Sequence, residues 1–491
     1  MSDASPLHSR YNPQAEAERY IDALNLESGI GFFILIEPGL GYLIPALRRR
    51  FQNSKITVLH ADSRFRETES PGVPAWYPDS VETAQGFLER EIPDAAGVRI
   101  IEWRPSLRFY GDRYVKLLAD AADFIKRVEA GRRTVSVFGR RWVKNFFRNV
   151  RLMRRALLYR PMEIPVIITG SGPGLEDAVP KILAMQGSAF VIAASSSLLT
   201  LSRAGVRADM VISTDGGSWA LTHLYSCFRR ANASVDEHAC VDEHVSVDEH
   251  ACVHYLAIAL SAALPSQCGA LPFLALNDGS LWQSLILNAL NIPSLVIPQR
   301  GTVSASALDV ALALSSGSIY LAGMDLAVRD IRTHTRPYGF DHLFLGTASR
   351  LRPFYSQCFT RSNDMRLGGS HAIYAAWFKN QLALWPRRIF SLGGNAVFET
   401  SRSFAENPPK KQGQSTGAGH FKEITLDGTP EERCEKGADA LINALDDDRF
   451  GELLKGELAP LLFPEVKEVA ANDIRMAIEK IAGPCRGKTR G

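Results

Sequence analysis

Apolar positions along this chain change repeatedly from a spacing of three to four to short unbroken runs, and each change marks an element. In 13–26, Ala15, Ala17, Tyr20, Ile21 and Leu24 recur at helical spacing. An apolar run, 31–36, then predicts a strand. It is followed by the turn Glu37-Pro38-Gly39-Leu40-Gly41-Tyr42, a short helix over 43–51 with a basic end, and a second strand over 55–60 with Asp62 just beyond it. The third glycine of the dinucleotide fingerprint is missing from this β-α-β unit. It reads as a structural Rossmann-like domain; a nucleotide-binding half, or a turn of the S-adenosylmethionine-binding type, stays open beside that reading. A loop over 71–78, helices over 81–91 and 112–130 and a short strand over 98–102 complete the first part. In 140–155, Arg140, Lys144, Arg148, Arg151 and Arg155 share one helical spacing. Such a stripe serves either as the solvated face of an inter-domain helix or as a contact for phosphates or a membrane surface.

From residue 165 the pattern becomes regularly strand–helix. Pro165 leads a β-branched run, 166–168, into Gly170-Ser171-Gly172-Pro173-Gly174. A helix should follow, with Glu176 and Asp177 near its start and Pro180 in its first turn. A strand, a glycine turn and a helix N-terminus together offer backbone N–H groups to an anion; the alternative is a plain tight turn. Further strands are expected over 189–194, 210–214, 294–297 and 319–322, and helices over 198–204 and 303–314. Strands alternating with helices imply a mostly parallel sheet covered on both faces, with ligands beyond the carboxyl ends of the strands. The glycine turn, Ser195, Ser196 and Ser197, Asp215, and Gly323 with Asp325 all fall at such ends. Asp215 ahead of Ser218 is either a helix cap or a functional carboxylate.

Beyond Asp325 the regular pattern stops. His334, Arg336, Tyr338, His342 and Tyr355 lie in a long irregular stretch, and long excursions in compact domains commonly carry function. A helix over 371–384 and a last strand over 388–392 precede a polar, Pro/Gly-rich linker, and 430–483 reads as helical.

Composition narrows the classes. The 491 residues carry 46% hydrophobic and 22% charged side chains, an ordinary globular balance. A net charge of +3 over this length gives no footprint for nucleic acid. No apolar run is long enough to span a bilayer, and the start lacks signal-peptide character. The seven cysteines are scattered without CxxC spacing, so they are expected to be reduced thiols in a cytoplasmic protein. Three near-copies of Val-Asp-Glu-His occupy 235–252, carrying His238, His244, His250, Cys240 and Cys252. Imidazole and thiolate suggest a metal, but a period of six fits no helix face and no zinc spacing; a tolerated surface duplication is the expectation, and no metal site is assigned.

The order of motifs resembles the motility-associated-factor (Maf) glycosyltransferases. The resemblance is carried by Gly170 to Gly174, Ala193-Ala-Ser-Ser-Ser-Leu-Leu199, Gly205-Val-Arg-Ala-Asp-Met-Val-Ile-Ser-Thr-Asp215, Gly301-Thr-Val-Ser-Ala-Ser-Ala-Leu-Asp-Val-Ala311 and Ile319-Tyr-Leu-Ala-Gly-Met-Asp-Leu-Ala327. Asn12-Pro-Gln-Ala-Glu-Ala17, Pro38 to Tyr42, Trp142-Val-Lys-Asn145 and Tyr374-Ala-Ala-Trp-Phe378 continue it, over about residues 10 to 400. Gly174, Ala208 and Met324 depart from the Ser, Pro and Gln usual in that family.

The resemblance implies an α/β fold. Its centre is a mostly parallel Rossmann-like domain similar to bacterial sialyltransferases and to the archaeal 6-hydroxymethylpterin diphosphokinase. The expected layout is an N-terminal α/β domain (1–135), a basic linker helix (136–160), the central domain (161–400), a linker (401–429) and a helical C-terminal region (430–491). The implied activity is transfer of a pseudaminic- or legionaminic-type nonulosonic acid from a CMP-activated donor to flagellin serines or threonines. No cofactor is expected to be tightly bound, and Mg²⁺ is an option. Gly170, Ser171, Gly172, Pro173 and Gly174 would hold the donor phosphate. Ser195, Ser196, Ser197, Asp209, Gly301, Thr302 and Gly323 would complete the donor site. Asp215, Asp325 and His334 are the catalytic candidates, His334 as the base. The alternatives are a pyrophosphokinase, with Asp215 and Asp325 on Mg²⁺, and a non-catalytic flagellar assembly factor.

Overall fold

The computed structural model describes residues 7–26, 30–68, 70–92, 97–231, 253–367, 374–375, 377–379, 388–393, 417–466 and 468–483. The chain forms two compact units, 1–137 and 138–491. The repeat over 235–252 and most of the helix expected over 371–384 lie outside the described residues.

In the first unit, β1 (Phe32–Ile36), β2 (Lys55–Leu59), β3 (Ala75–Trp76) and β4 (Val98–Glu102) make a wholly parallel sheet in the order β3-β2-β1-β4. β3 lies within the stretch expected to be loop. Alternation along β1 sends Phe33 and Leu35 to one face, against Ala17 and Ile21 of α1 (Pro13–Ala23) and Leu43 and Leu47 of α2 (Leu43–Arg50). Ile34 and Ile36 go to the other, against Phe87 and Leu88 of α3 (Ala84–Glu91). A short α4 (Arg104–Tyr110) leads into α5 (Asp112–Leu152), a 41-residue helix in place of the two shorter ones expected. Its Tyr114, Leu117, Ala121 and Phe124 join that second face.

The second unit is built on one large sheet. β5 (Arg155–Tyr159), β6 (Val166–Thr169), β7 (Phe190–Ala194), β8 (Ala208–Ser213), β9 (Val253–Ala259), β10 (Phe273–Asn277), β11 (Ser294–Val296), β12 (Ile319–Ala322), β13 (Ile389–Ser391) and β14 (Phe421–Thr425) compose it. The order is β13-β12-β6-β7-β8-β9-β10-β5-β14, with β11 also on β10; every pairing is parallel except β14 on β5. The fold class is therefore α/β with a mostly parallel central sheet, as the alternating pattern implies.

Two expectations change here. The basic helix stops at Leu152, and 155–159 is a strand, because Ala156 and Leu157 are fully buried in the sheet. The expected linker 401–429 contains β14, which seals the sheet edge. Strands β9 and β10 and helix α9 (Leu281–Ala289) also form where no element was expected; their apolar runs are the missed signal.

Helix α6 (Leu175–Met185), α7 (Leu198–Arg203), α8 (Ala220–Ala231) and α9 follow β6, β7, β8 and β10. Pro180 lies in the second turn of α6, since the helix already begins at Leu175. On one face, Ile167, Val191, Val211 and Leu256 pack with α6, α7, Phe146 and Phe147 of α5, and the helices Pro430–Leu445, Gly451–Leu462 and Ala471–Ala482. The C-terminal helices thus share the central core. On the other face, Val166, Ile168, Ile192 and Ile212 meet Ala307, Leu308, Ala311 and Leu314 of α10 (Val303–Leu314), whose small residues let it lie close to the sheet. After β12 the chain makes the irregular excursion and forms α11 (Asp341–Gly346) and α12 (Phe354–Leu367) before returning as β13.

Candidate functional site

In the second unit, the chain steps from β6 through β7, β8 and β9 to β10, then returns to place β12 on the other side of β6. Strand order reverses between β6 and β12, and open parallel sheets bind ligands beyond the carboxyl ends at such a reversal. Two glycine turns meet there, residues 170–174 after β6 and 323–325 after β12.

These turns lock together. Gly170 N–H donates to Ala322 O (2.8 Å) and Gly172 N–H to Gly323 O (2.7 Å). A Cβ on Gly170 would stand 2.6 Å from Gly323 O, and one on Gly172 would stand 2.7 Å from the same oxygen. Gly323, at φ +62, would push a Cβ to 2.5 Å from Gly170 O. No side chain fits at these three positions.

The cradle expected to take a phosphate is occupied by the protein itself. Gly174 N–H, at the start of α6, donates to Asp325 Oδ2 (2.7 Å), and Leu175 N–H turns back to Gly172 O (3.0 Å). The Asp325 carboxylate sits where an anion at a helix N-terminus belongs. Burial pushes its carboxyl above the ordinary range, and the Gly174 N–H and the Arg329 charge oppose the rise. The glycines of this turn serve backbone packing and an internal carboxylate.

The excursion after β12 is tied to the same place. Arg329 pairs with Asp177 (2.6 Å) and Arg332 with Glu176 (3.1 Å), both in the first turn of α6. Arg336 N–H donates to Glu176 Oε1 (2.9 Å), and Thr335 N–H to Ser171 O (2.8 Å). Thr200 Oγ1 on α7 donates to Pro337 O (2.9 Å). Thr335 is fully buried and, among the described residues, its hydroxyl has no hydrogen-bond partner; the same holds for Ser213 at the end of β8. The straps Glu176 and Asp177 were legible only as acidic residues at a helix start; their partners lie more than 150 positions away in sequence.

Of the serine row, Ser196 Oγ donates to Ser171 Oγ (3.0 Å). Ser197 is fully buried and bonds to Thr169 and to Ala194 O (2.8 Å), a structural tie between β6 and β7. Ser195 is buried at the end of β7. Gly301 (φ +73) and Thr302 precede α10; Gly301 O accepts from Tyr374 Oη (2.9 Å) and Thr302 makes no side-chain cap. Since α10 runs back across the strands, its N-terminus lies at their carboxyl ends.

Two expected site residues, Asp209 and Asp215, are not brought together with the rest. Asp209 stands at the amino end of β8 and accepts from Val191 N–H (2.7 Å). At ~3.3 Å per residue it lies about 20 Å from the carboxyl end where Asp215 follows. Its carboxyl, raised by burial, is a tie between β7 and β8. Asp215 accepts from Gly217 N–H (2.7 Å), and its carbonyl takes Ala263 N–H (2.9 Å), toward β9. Gly216 allows the Trp142 ring to approach, and Asn145 Nδ2 donates to Gly216 O and Ser261 O (3.1 and 2.9 Å), which explains the Trp142-Val-Lys-Asn145 motif. β8 and β12 are three strand spacings apart, roughly 14 Å, too far for Asp215 and Asp325 to grip one cation. Among the described residues no three His, Cys, Asp or Glu gather as a metal site. His334 lies on the excursion, its Nδ1 2.9 Å from Thr333 Oγ1 and its ring stacked on Tyr338 at 4.1 Å.

Comparison with known proteins places part of this unit. Residues 140–330 match the family described as 6-hydroxymethylpterin diphosphokinase MptE-like, so the chain carries an MptE-like domain over that stretch. An uncharacterized protein of Treponema pallidum (strain Nichols) is 27% identical over 295 residues, 60% of this chain; the match spans 59% of that relative's length. Among solved structures, a Maf glycosyltransferase from Magnetospirillum magneticum AMB-1 aligns with 96% of this chain and 78% of its own, at 14% identity and a TM-score of 0.47. Among the described residues no helix is long and apolar enough to cross a membrane.

Proposed function

We propose that the second unit is a glycosyltransferase that moves a nonulosonic acid from a CMP-activated donor to serine or threonine hydroxyls, with flagellin as acceptor. The observation that carries this reading is the reversal of strand order between β6 and β12, where Ser171, Ser196, Asp325 and the strapped excursion converge. The motif order shared with the Maf glycosyltransferases supplies the donor and acceptor class.

In this reading the donor phosphate lies outside the closed glycine turn, against Ser171, Ser196 and the N-terminus of α10. The acceptor oxygen bonds to the anomeric carbon as that carbon's bond to the phosphate oxygen breaks. The electron pair leaves with CMP, and the hydroxyl proton passes to the His334 imidazole. Asp325 fixes the two glycine turns that shape this floor and acts by positioning. Mg²⁺, if used, would be held by one carboxylate and the single donor phosphate rather than between Asp215 and Asp325.

The test is calorimetry with CMP and intact-mass analysis of flagellin incubated with donor and protein. CMP binding with a mass increment of one sugar acid supports the reading; neither binding nor increment overturns it. The MptE-like domain favours one second reading, a pyrophosphokinase: formation of a pterin diphosphate from ATP would select it.

A further inference from the structure

The excursion over 331–361 folds back on itself around a small, open cleft, lined among others by Arg332, His334, Arg336, Tyr338, Cys358 and Arg361. The ion pairs of the excursion are made by Arg332 and, just before this segment, by Arg329. Among the described residues, neither Arg336 nor Arg361 has a carboxylate partner. Both are half-buried, where an unpaired charge is costly. Arg361 lies over the rings of Tyr338 (5.8 Å), Phe340 (6.0 Å) and Phe344 (5.1 Å). Arg336 lies over Phe354 (5.1 Å) and points one guanidinium nitrogen at Cys358 Sγ (3.5 Å).

Arg361 also donates to the Tyr338 hydroxyl; aromatic faces on a guanidinium hold its plane and leave the remaining N–H donors of its edge to a ligand. That edge matches a planar oxyanion taken by two parallel hydrogen bonds. The one acidic side chain lining the cleft, Asp341, has its Oδ2 on Tyr338 N–H (3.1 Å). The cleft therefore carries a surplus of positive charge beside partly apolar walls. Its chain is joined to the strand-order reversal through Thr335 on Ser171 and Arg336 on Glu176.

We propose that Arg336 and Arg361 form a subsite for the acid group of an anionic sugar, beside the strand-order reversal. This rests on the transferase reading for the identity of the ligand, since a nonulosonic acid carries one carboxylate. The cleft itself selects for an oxyanion, which a nucleotide phosphate could also supply.

Cys358 reports on the cleft. Its alkylation by neutral iodoacetamide, read by site-resolved mass spectrometry on the full chain, is followed with N-acetylneuraminic acid, its methyl ester, inorganic phosphate or CMP added. The subsite requires that the free acid slow Cys358 labelling and the methyl ester fail to. Arg361→Gln should weaken that protection about tenfold or more, with Arg361→Lys intermediate because it keeps charge but not the planar fork. Circular dichroism and melting of each variant separate lost binding from lost folding, and Arg336→Gln gives an independent second reading. Protection by inorganic phosphate or CMP alone, equal to that by the sugar acid, would overturn the assignment to the sugar. No protection by any of the four would overturn the subsite altogether. If calorimetry shows CMP bound while the sugar acid leaves Cys358 unprotected, the subsite falls and the transferase reading stands. Protection without CMP binding has the opposite meaning.

Discussion

Each unit places a glycine turn where its strand order reverses, and the two turns are closed by different partners. In the first unit, Gly39 and Gly41 follow β1, beside β4. The group seated in that turn is an imidazole: Leu40 N–H donates to His8 Nε2 (3.0 Å), with the His8 ring stacked on Trp103. A Cβ on Gly39 would meet that nitrogen at 2.5 Å. The buried Glu37 carboxylate is already held by Ala61 N–H (2.6 Å) and His60 Nδ1 (3.1 Å). In the second unit the seated group is the Asp325 carboxylate, and the backbone of Gly323 presses on the turn as well. One turn is closed by a side chain alone, the other by side chain and backbone. A glycine turn in a sequence thus marks close approach without saying what approaches.

The widest separation should come from Gly172→Val. Its branched side chain collides with Asp325 Oδ2 and Gly323 O together, and a cost above about 3 kcal/mol is expected, enough to prevent folding of the second unit. Removing the carboxylate as well, with Asp325→Ala, should not rescue it, because the Gly323 carbonyl remains. Melting and limited proteolysis of both variants check this. A well-folded Gly172→Val protein would show that the turn opens to admit a ligand.

The cover of the second turn is expected to respond to pH. His223 packs against Tyr338 (5.1 Å) and Phe340 (4.6 Å), and burial, with help from the Arg361 charge, pushes its imidazole down to about 4. The folded state thus binds its proton less readily than the unfolded chain, whose ordinary value is 6.5. Its contribution to stability is complete above that value and is lost as pH falls from 6.5 toward 4, by roughly 3 kcal/mol at most. Melting temperatures of wild type and His223→Gln between pH 7 and 4.5 should differ in slope; parallel curves would refute the linkage. Burial lowers His8 as well, and only its neutral form can accept from Leu40, so acid should also loosen the first turn.

Gly39→Ala should cost less than Gly172→Val, about 1–3 kcal/mol, because the obstacle is one side chain and the residue sits at φ +61. Adding His8→Ala should recover part of this, leaving about 1 kcal/mol of backbone strain. No recovery would mean that the first turn, too, is held by its backbone.

The smallest expected change in stability is that of Asp325→Asn, within about 1 kcal/mol, because the amide oxygen still accepts from Gly174 and a buried charge is removed. If Asp325 only positions the turn, the proposed flagellin modification should survive. A loss of ~100-fold with unchanged melting would make its charge part of the chemistry.

What the sequence determined by itself is local. The apolar runs and helical spacings from 165 to 325 mark β6, β7, β8, β11 and β12, and the strand–turn–helix order puts the glycines and serines at carboxyl ends. A period of two or 3.6 is written in neighbouring residues, so it can be read without the fold. The tertiary structure alone decided that β12 lies beside β6, that Asp325 fills the glycine turn, and that Glu176 straps an excursion far along the chain. It also made 155–159 an inner strand of the sheet and 421–425 its antiparallel edge strand, in stretches whose composition resembles a basic helix and a linker. Strand pairing and register depend on which distant surfaces bury each other. That choice belongs to the packed core, and it moved the candidate site from the glycines to the residues gathered around them.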